Sequence, residues 1–387
     1  MWILNCQCLL PLILVWFTVL QCLVAVNKAE EIKLTIVSIL NKQSRDTTLL
    51  KLHSVVQSSN VSSIQFGFVI FESENFTLAD WNEHLDSCFD RISYTSIVWN
   101  SKPFLKRTLR HERFETELIY ARFYLPLLFS KTARLLYLDN DIIVNADMSE
   151  LASIPMLDVS NRPAPAAFVF EKSIFNQFYM QQHLNFNHSL VQRAVSHRGD
   201  KMFLNCGVIL FNTPLWIKLN LTAKAEQLIK QNAVGNEKPL YDVVIGDQGA
   251  FFLLLQDEAG ILPVRFNLRR HPGKSVKLLE QDDFTGVVHF AGTGDGFSFF
   301  CNYPTHFPVF IKGAVPLLLS VAWSFQGMCP YWNKTRGHDF CDVHHAMRIF
   351  NEYFKSFEKK SVHVKFNPGR GNFIWPPRTN DHINLLY

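Results

Sequence analysis

Charge is scarce in this chain: Asp, Glu, Lys and Arg make up 19% of its 387 residues, and the formal net charge is +4. No dense Lys/Arg run interleaves with aromatic side chains, so the footprint of a nucleic-acid-binding surface is missing. No internal repeat is visible, which sets aside repeat architectures. The longest absence lies at the start, where no charged residue occurs from Met1 to Asn27. With no Lys or Arg ahead of it, that segment carries no positive-inside signal for its orientation. What is present instead is apolar. Hydrophobic residues make up 48% of the chain, ample for the core of one large α/β domain or two smaller ones.

Much of the apolar excess sits in Leu9 to Val26, where only Thr18 and Gln21 are polar. A bilayer span needs about 20 such residues, and a secretory signal peptide has a shorter apolar core followed by small residues. Residues 1–26 are therefore read as a signal peptide or signal-anchor segment. Either places the remainder in the secretory pathway lumen, Golgi or endoplasmic reticulum, as a single-pass type II membrane protein or a cleaved lumenal or secreted one. Five N-x-S/T acceptors at Asn60, Asn75, Asn187, Asn220 and Asn333 agree with that compartment. Five cysteines follow the leader: Cys88, Cys206, Cys301, Cys329 and Cys341. An odd number leaves one thiol unpaired if disulfides form, and Cys206, inside an apolar strand motif, is expected buried and free. Cys329 and Cys341, with His344 and His345 nearby, read as a zinc site or a disulfide, and an oxidising lumen favours the disulfide.

Strand-like runs at Ile32 to Leu40, Ile64 to Phe71 and Ile92 to Trp99 alternate with helical patterns at Thr47 to Val56 and Leu78 to Cys88. Arg113 to Phe129 reads as helix up to Pro126, Leu219 to Asn232 and Asp247 to Gln256 as helices, and Gly286 to Phe290 as a short buried strand. Alternation of this kind predicts a mostly parallel sheet, which binds ligands at the carboxyl ends of its strands. Ala314 to Phe325 is apolar but too short to span a membrane and reads as a packed helix. The segment Lys359 to Tyr387, rich in Pro, Gly and Asn, reads as irregular.

The apolar run Leu135 to Leu138 closes on Asp139-Asn140-Asp141. Alternate side chains of an extended strand share a face, so both carboxylates project to one side. Hard oxygens so placed suit Mn²⁺ or Mg²⁺, the kind of cation that neutralises a departing diphosphate. A solvated turn is the plain rival. A calcium-binding EF-hand loop is another, with Glu150 at its twelfth position, but Val144 stands where that loop needs glycine.

Further motifs come in order: Tyr120-Ala-Arg-Phe-Tyr-Leu-Pro126 upstream, then Leu204-Asn-Cys-Gly-Val-Ile-Leu-Phe-Asn212, Gly246-Asp-Gln-Gly249 and Val287-Val-His-Phe-Ala-Gly292. Over roughly residues 32 to 315 this series resembles glycosyltransferase family 8, the retaining, metal-dependent enzymes using UDP-sugars that include glycogenin and bacterial lipopolysaccharide galactosyltransferases. Tyr120 to Asp147 is most similar to the animal glycosyltransferase 8 domain-containing proteins, and Phe266-Asn-Leu-Arg269 resembles a Trp-Asn segment those proteins carry. The resemblance implies a GT-A-type fold, a Rossmann-like mixed sheet flanked by helices. It implies a catalytic domain over 32–315, followed by a helical and irregular extension over 316–387.

The same resemblance implies metal ligation by Asp139, Asp141 and His289. It places Arg122, Asn140, Asn205, Gly207, Asp247, Gln248 and Gly292 at the donor, with Gly207 leaving room for the sugar. Asp247 and Gln248 would be catalytic: Asp247 on the sugar hydroxyls, Gln248 on the far face of the reactive carbon. From the residues alone, His289 reads as a core histidine, Arg122 as a surface or bracing residue, Asn205 and Gly207 as a turn, and Asp247 as a helix cap. The implied partners are a UDP-sugar donor, a glycan, glycoprotein or glycolipid acceptor, and a membrane if the leader is uncleaved. The reaction is transfer of a hexose or pentose to a hydroxyl.

One position departs from the family. Where the family has a lysine on the diphosphate, this chain has Asp295, and an anion there is unfavourable by Coulomb's law. Backbone N–H groups of the surrounding glycines, Arg270 or Lys274 could compensate. Without compensation, the chain would be a catalytically weak relative that binds UDP-sugars or glycans.

The leader and acceptors predict a lumenal glycoprotein. Endoglycosidase treatment of protein expressed in animal cells should increase its gel mobility; an unshifted, cytosolic product would defeat the assignment.

Overall fold

All seven residues of Leu34–Leu40 are buried, as a strand covered on both faces requires. The structure, a computed structural model, describes residues 34–90, 92–100, 116–171, 182–198, 203–233, 239–242, 245–255, 258–269, 284–290, 321–322, 329, 365–367 and 372–374. The first ten described strands are β1 (Leu34–Leu40), β2 (Ile64–Ile70), β3 (Tyr94–Val98), β4 (Arg134–Leu138), β5 (Ile142–Asn145), β6 (Ala166–Glu171), β7 (Phe203–Asn212), β8 (Gly260–Ile261), β9 (Leu268–Arg269) and β10 (Gly286–His289). Helices in chain order are α1 (Arg45–Ser58), α2 (Leu78–Cys88), α3 (Thr116–Tyr120), α4 (Leu125–Leu128), α5 (Glu150–Ser153), α6 (Ser189–Arg198), α7 (Thr213–Lys218), α8 (Leu221–Ala233) and α9 (Gly246–Leu255).

The main sheet has the order β3-β2-β1-β4-β7-β6-β8. Its first four strands are parallel, as the βαβ alternation requires. β7 then runs antiparallel to both β4 and β6. The expectation of a mostly parallel sheet thus holds for the first half and gives way to a mixed sheet in the second. Alternate residues of β1 feed two cores. Leu34, Ile36 and Leu40 pack with Leu49, Leu52 and Val55 of α1 and Trp81 of α2. Val37 and Ile39 join Tyr120, Phe123, Trp216 of α7 and Phe251 of α9.

A second sheet, β5-β10-β9, grows from the end of β4 through the turn at residues 139–141. β10 pairs antiparallel with β5, setting His289 opposite Ile142. In β7 the pairing with β6 jumps from Ile209 to Asn205 while β6 advances one residue. The intervening residues form a bulge, a device that re-aims side chains beside functional sites.

Several local expectations need correction. Of the helix read from Arg113 to Pro126, the described residues from Thr116 onward form three short pieces: α3, a 3₁₀ turn at Ala121–Tyr124, and α4, with Pro126 near the start of α4, where its missing N–H is harmless. The segment read as irregular contains an antiparallel pair, β11 (Lys365–Asn367) and β12 (Asn372–Ile374). Within the apolar segment 314–325 the described residues are Val321 and Ala322, and both are buried. Cys329 is bonded to Cys88 at the end of α2 rather than to Cys341, and Cys341 lies outside the described residues. Cys206 is buried and free, as expected.

The Cys88–Cys329 bond closes a loop with a sequence separation of 241, and loss of such a bond costs about 2–5 kcal/mol. Cys88→Ala should lower the denaturant midpoint under oxidising conditions. With reductant present, wild type and variant should converge.

Candidate metal centre

β4 ends at Leu138, and the next three residues turn the chain into β5. Asp139 N–H donates to Gly207 O at 2.8 Å, and Phe290 N–H to Asp141 O at 2.8 Å. The turn is therefore tied to β7 on one side and β10 on the other. Asp139 and Asp141 project towards His289, whose Nε2 lies 3.7 Å from Asp139 Oδ2 and 3.1 Å from Asp141 Oδ1. One ligand atom from each residue falls within 4.8 Å of the others. Two carboxylate oxygens and an imidazole nitrogen form a donor set that fits a divalent cation such as Mn²⁺. The fold thus brings together the three residues expected as ligands.

The remaining oxygen of Asp139 is spoken for. Oδ1 accepts from Tyr137 Oη at 2.6 Å and from Arg122 at 2.7 Å, leaving Oδ2 to face His289. Arg122, whose guanidinium lies 4.7 Å over the Tyr137 ring, also donates to Asp247 Oδ2 at 2.6 Å. It was expected beside the donor diphosphate; here its two terminal nitrogens brace carboxylates on different elements.

Asn140 was expected at the donor too. Its side chain donates to Ile39 O at 2.7 Å and accepts from Lys51 Nζ at 2.9 Å. Lys51 also donates to Leu138 O at 2.8 Å. It is a wholly buried lysine of α1, and burial pushes its ammonium down to about 7, against the pull of Asp139 and Asp141. This residue escaped the sequence reading. The available signal was a lone cation at the centre of the buried stretch Thr48–Val55.

Gly207 lies within the β7 bulge and Asn205 flanks it. A Cβ added at Gly207 would collide with the His289 ring, so glycine at this position lets the imidazole approach the β7 backbone. α9 begins at Gly246, whose φ of +39° suits glycine. Asp247 is buried and Gln248 half-buried, and Gln248 Oε1 accepts from Asn205 Nδ2 at 3.3 Å. Asn267, just before β9, accepts from His289 Nδ1 at 2.9 Å and donates to Asn205 at 2.7 Å. Gly292 and Asp295 lie outside the described residues. The fold thus gathers Arg122, Asn205, Gly207, Asp247 and Gln248 around the triad, and adds Lys51, Tyr137 and Asn267.

A family model described as Glycosyl transferase family 8 matches residues 32–294. Glycosyltransferase 8 domain-containing protein 1 of Mus musculus is 26% identical over 209 residues, covering 50% of this chain and 53% of that protein. Glycosyltransferase 8 domain-containing protein 2 of Homo sapiens is 25% identical over 213 residues, covering 51% and 58%. The chain spans about half the length of the curated relatives it matches. Among solved structures, the galactosyltransferase LgtC in complex with donor and acceptor sugar analogs aligns with a TM-score of 0.53 at 16% identity, covering 77% of this chain and 99% of that one. The apo structure of the bifunctional WbbM aligns with a TM-score of 0.51 at 15% identity, covering 73% and 50%. These likenesses show the GT-A fold.

Burial pushes the Asp247 carboxyl up to about 6, in spite of Arg122 and aided by Asp139. Between about pH 4 and 6 the native chain therefore holds a proton that the unfolded chain has released, and this contribution to stability falls as pH rises. In metal-free protein, urea denaturation should show Asp247→Asn gaining on wild type from pH 4 to 6.5. A stability difference that stays flat with pH would refute the assignment.

Proposed function

The chain belongs to glycosyltransferase family 8, and from that membership we propose a retaining, metal-dependent transferase that moves a hexose or pentose from a UDP-sugar to a hydroxyl acceptor in the secretory pathway. The observation that carries this reading is the convergence of Asp139, Asp141 and His289 on one point at the carboxyl end of β4. A divalent cation held there, Mn²⁺ or Mg²⁺, would neutralise charge on the departing diphosphate.

The chain's own residues prepare that site. Arg122 orients Asp139 and Asp247 with one guanidinium. Asp247 receives sugar hydroxyls, and half-buried Gln248 lies against the anomeric centre. An amide oxygen is a weak nucleophile, and that of Gln248 already accepts a hydrogen bond from Asn205. This favours front-face attack, with the leaving diphosphate taking the proton of the acceptor hydroxyl.

The uncharged leader, the Cys88–Cys329 bond and the exposure of Asn60, Asn75, Asn187 and Asn220 support the lumenal setting. The acceptor is a glycan, glycoprotein or glycolipid. Asp295 favours a second reading, in which the chain binds UDP-sugars or glycans and turns over slowly. A panel of UDP-sugars offered with Mn²⁺ separates the two: release of UDP supports the enzyme, binding without release the alternative.

Asp139→Ala and Asp141→Ala should each weaken Mn²⁺-dependent UDP binding by at least about tenfold, or about 1.4 kcal/mol, with the fold intact by circular dichroism. Calorimetry giving unchanged UDP affinity in both variants would overturn the metal assignment.

A further inference from the structure

Four polar side chains run in series from the metal triad to the donor-facing amide: His289, Asn267, Asn205 and Gln248. Asn267 is fully buried, and Asn205 and His289 nearly so. Asparagine and glutamine amides present an oxygen at one end and an NH₂ at the other, so such a series is ambiguous until one member is fixed. A backbone group fixes it here. Gly207 N–H lies 3.0 Å from the Asn205 side chain, and a backbone N–H is only ever a donor. The atom facing it is therefore Asn205 Oδ1.

The rest follows by complementarity. Asn267 meets that same oxygen at 2.7 Å, so it presents Nδ2 and must turn Oδ1 the other way. Oδ1 lies 2.9 Å from His289 Nδ1, which must then carry a proton. At the other end, Asn205 has only Nδ2 left for Gln248, 3.3 Å away, so Gln248 turns its oxygen inward and its NH₂ outward.

We propose that Asn267 is a positioning residue: it keeps a proton on His289 Nδ1, leaving Nε2 to the cation, and through Asn205 it shares one hydrogen-bond polarity with Gln248. The inference rests on reading the triad as a metal site and Gln248 as donor-facing. The carboxylates of Asp139 and Asp141 oppose it locally, because in the absence of a cation they draw a proton towards Nε2. A neutral ring carries one such proton, and the Asn267 oxygen, which can only accept, favours its place at Nδ1 over Nε2. A second partner of this kind commonly governs metal affinity by 10–100-fold.

The test uses the whole lumenal chain, ¹⁵N-labelled at histidine, with the His289 signal identified by its loss in His289→Gln. Wild type without metal should show a protonated Nδ1. Asn267→Leu should lose that signature and weaken Mn²⁺ binding by about 10–100-fold in calorimetry. Asn267→Asp can still accept from Nδ1 but sets an oxygen against Asn205, so it should keep the signature and the Mn²⁺ affinity while UDP-sugar turnover falls. Asn205→Asp should do the same, because its change falls on the Gln248 side alone.

An unprotonated Nδ1 in wild type would overturn the proposal. So would an Asn267→Leu variant that keeps the signature and binds Mn²⁺ within about twofold of wild type, far short of the expected loss. Should Asn267→Leu fail to fold, the Asn267→Asp comparison decides, loss of the Nδ1 signature counting against the proposal. If wild type bound no Mn²⁺ at all, the metal reading would fail while the Nδ1 signature still tested the hydrogen-bond polarity.

Discussion

A buried guanidinium is the constraint on which the site depends. Arg122 reaches Asp139 after β4 and Asp247 in the first turn of α9, elements far apart in the chain. Three carboxylates, those of Asp139, Asp141 and Asp247, converge in a region largely closed to water, where their mutual repulsion is weakly screened. Arg122 between two of them offsets that repulsion before any ligand arrives. Removing one partner of a buried ion pair costs more than the pair contributes, because it strands the other charge. The carboxylates are thus held in place by a cation of the protein itself.

Local signals were legible in the sequence where a few neighbouring residues decide the outcome. Leu78–Cys88 was read with its observed bounds; Thr77 and Asp80 form a reciprocal capping box at its start, a signature contained in four residues. The Asp139-Asn140-Asp141 turn was legible for the same reason, since alternation fixes which side chains share a face. What escaped depends on pairings across long separations. The reversal at β7 follows from its pairing with β4 and β6. The bond of Cys88 to Cys329 spans a sequence separation of 241, and no spacing rule selects it over Cys341.

The roles of individual residues were less legible, because a contact within the protein does not say whether the same side chain also meets a ligand. Asn140, Gly207 and Arg122, expected at the donor, are each also engaged by the protein itself: Asn140 by Ile39 and Lys51, Gly207 by the His289 ring, Arg122 by two carboxylates. A motif identifies residues that a site requires, without distinguishing those that touch a ligand from those that aim its neighbours. The register of β5 and β10 matters in the same way, because a slip of one residue would turn His289 to the opposite face.

Cys206 lies in the β7 bulge, with its carbonyl oxygen 3.4 Å from Arg122. Burial pushes its thiol far up from the ordinary range, the negative charge of Asp247 adding to the effect. Thiolates, not thiols, react with alkylating agents and oxidants, so in the closed protein this sulfur is chemically silent. It becomes reactive only when β7 parts from its neighbours, an opening whose free energy sets how often the sulfur is exposed. The chain therefore carries its own clock at the seam between β7 and the turn at residues 139–141, and whatever holds that seam shut slows it.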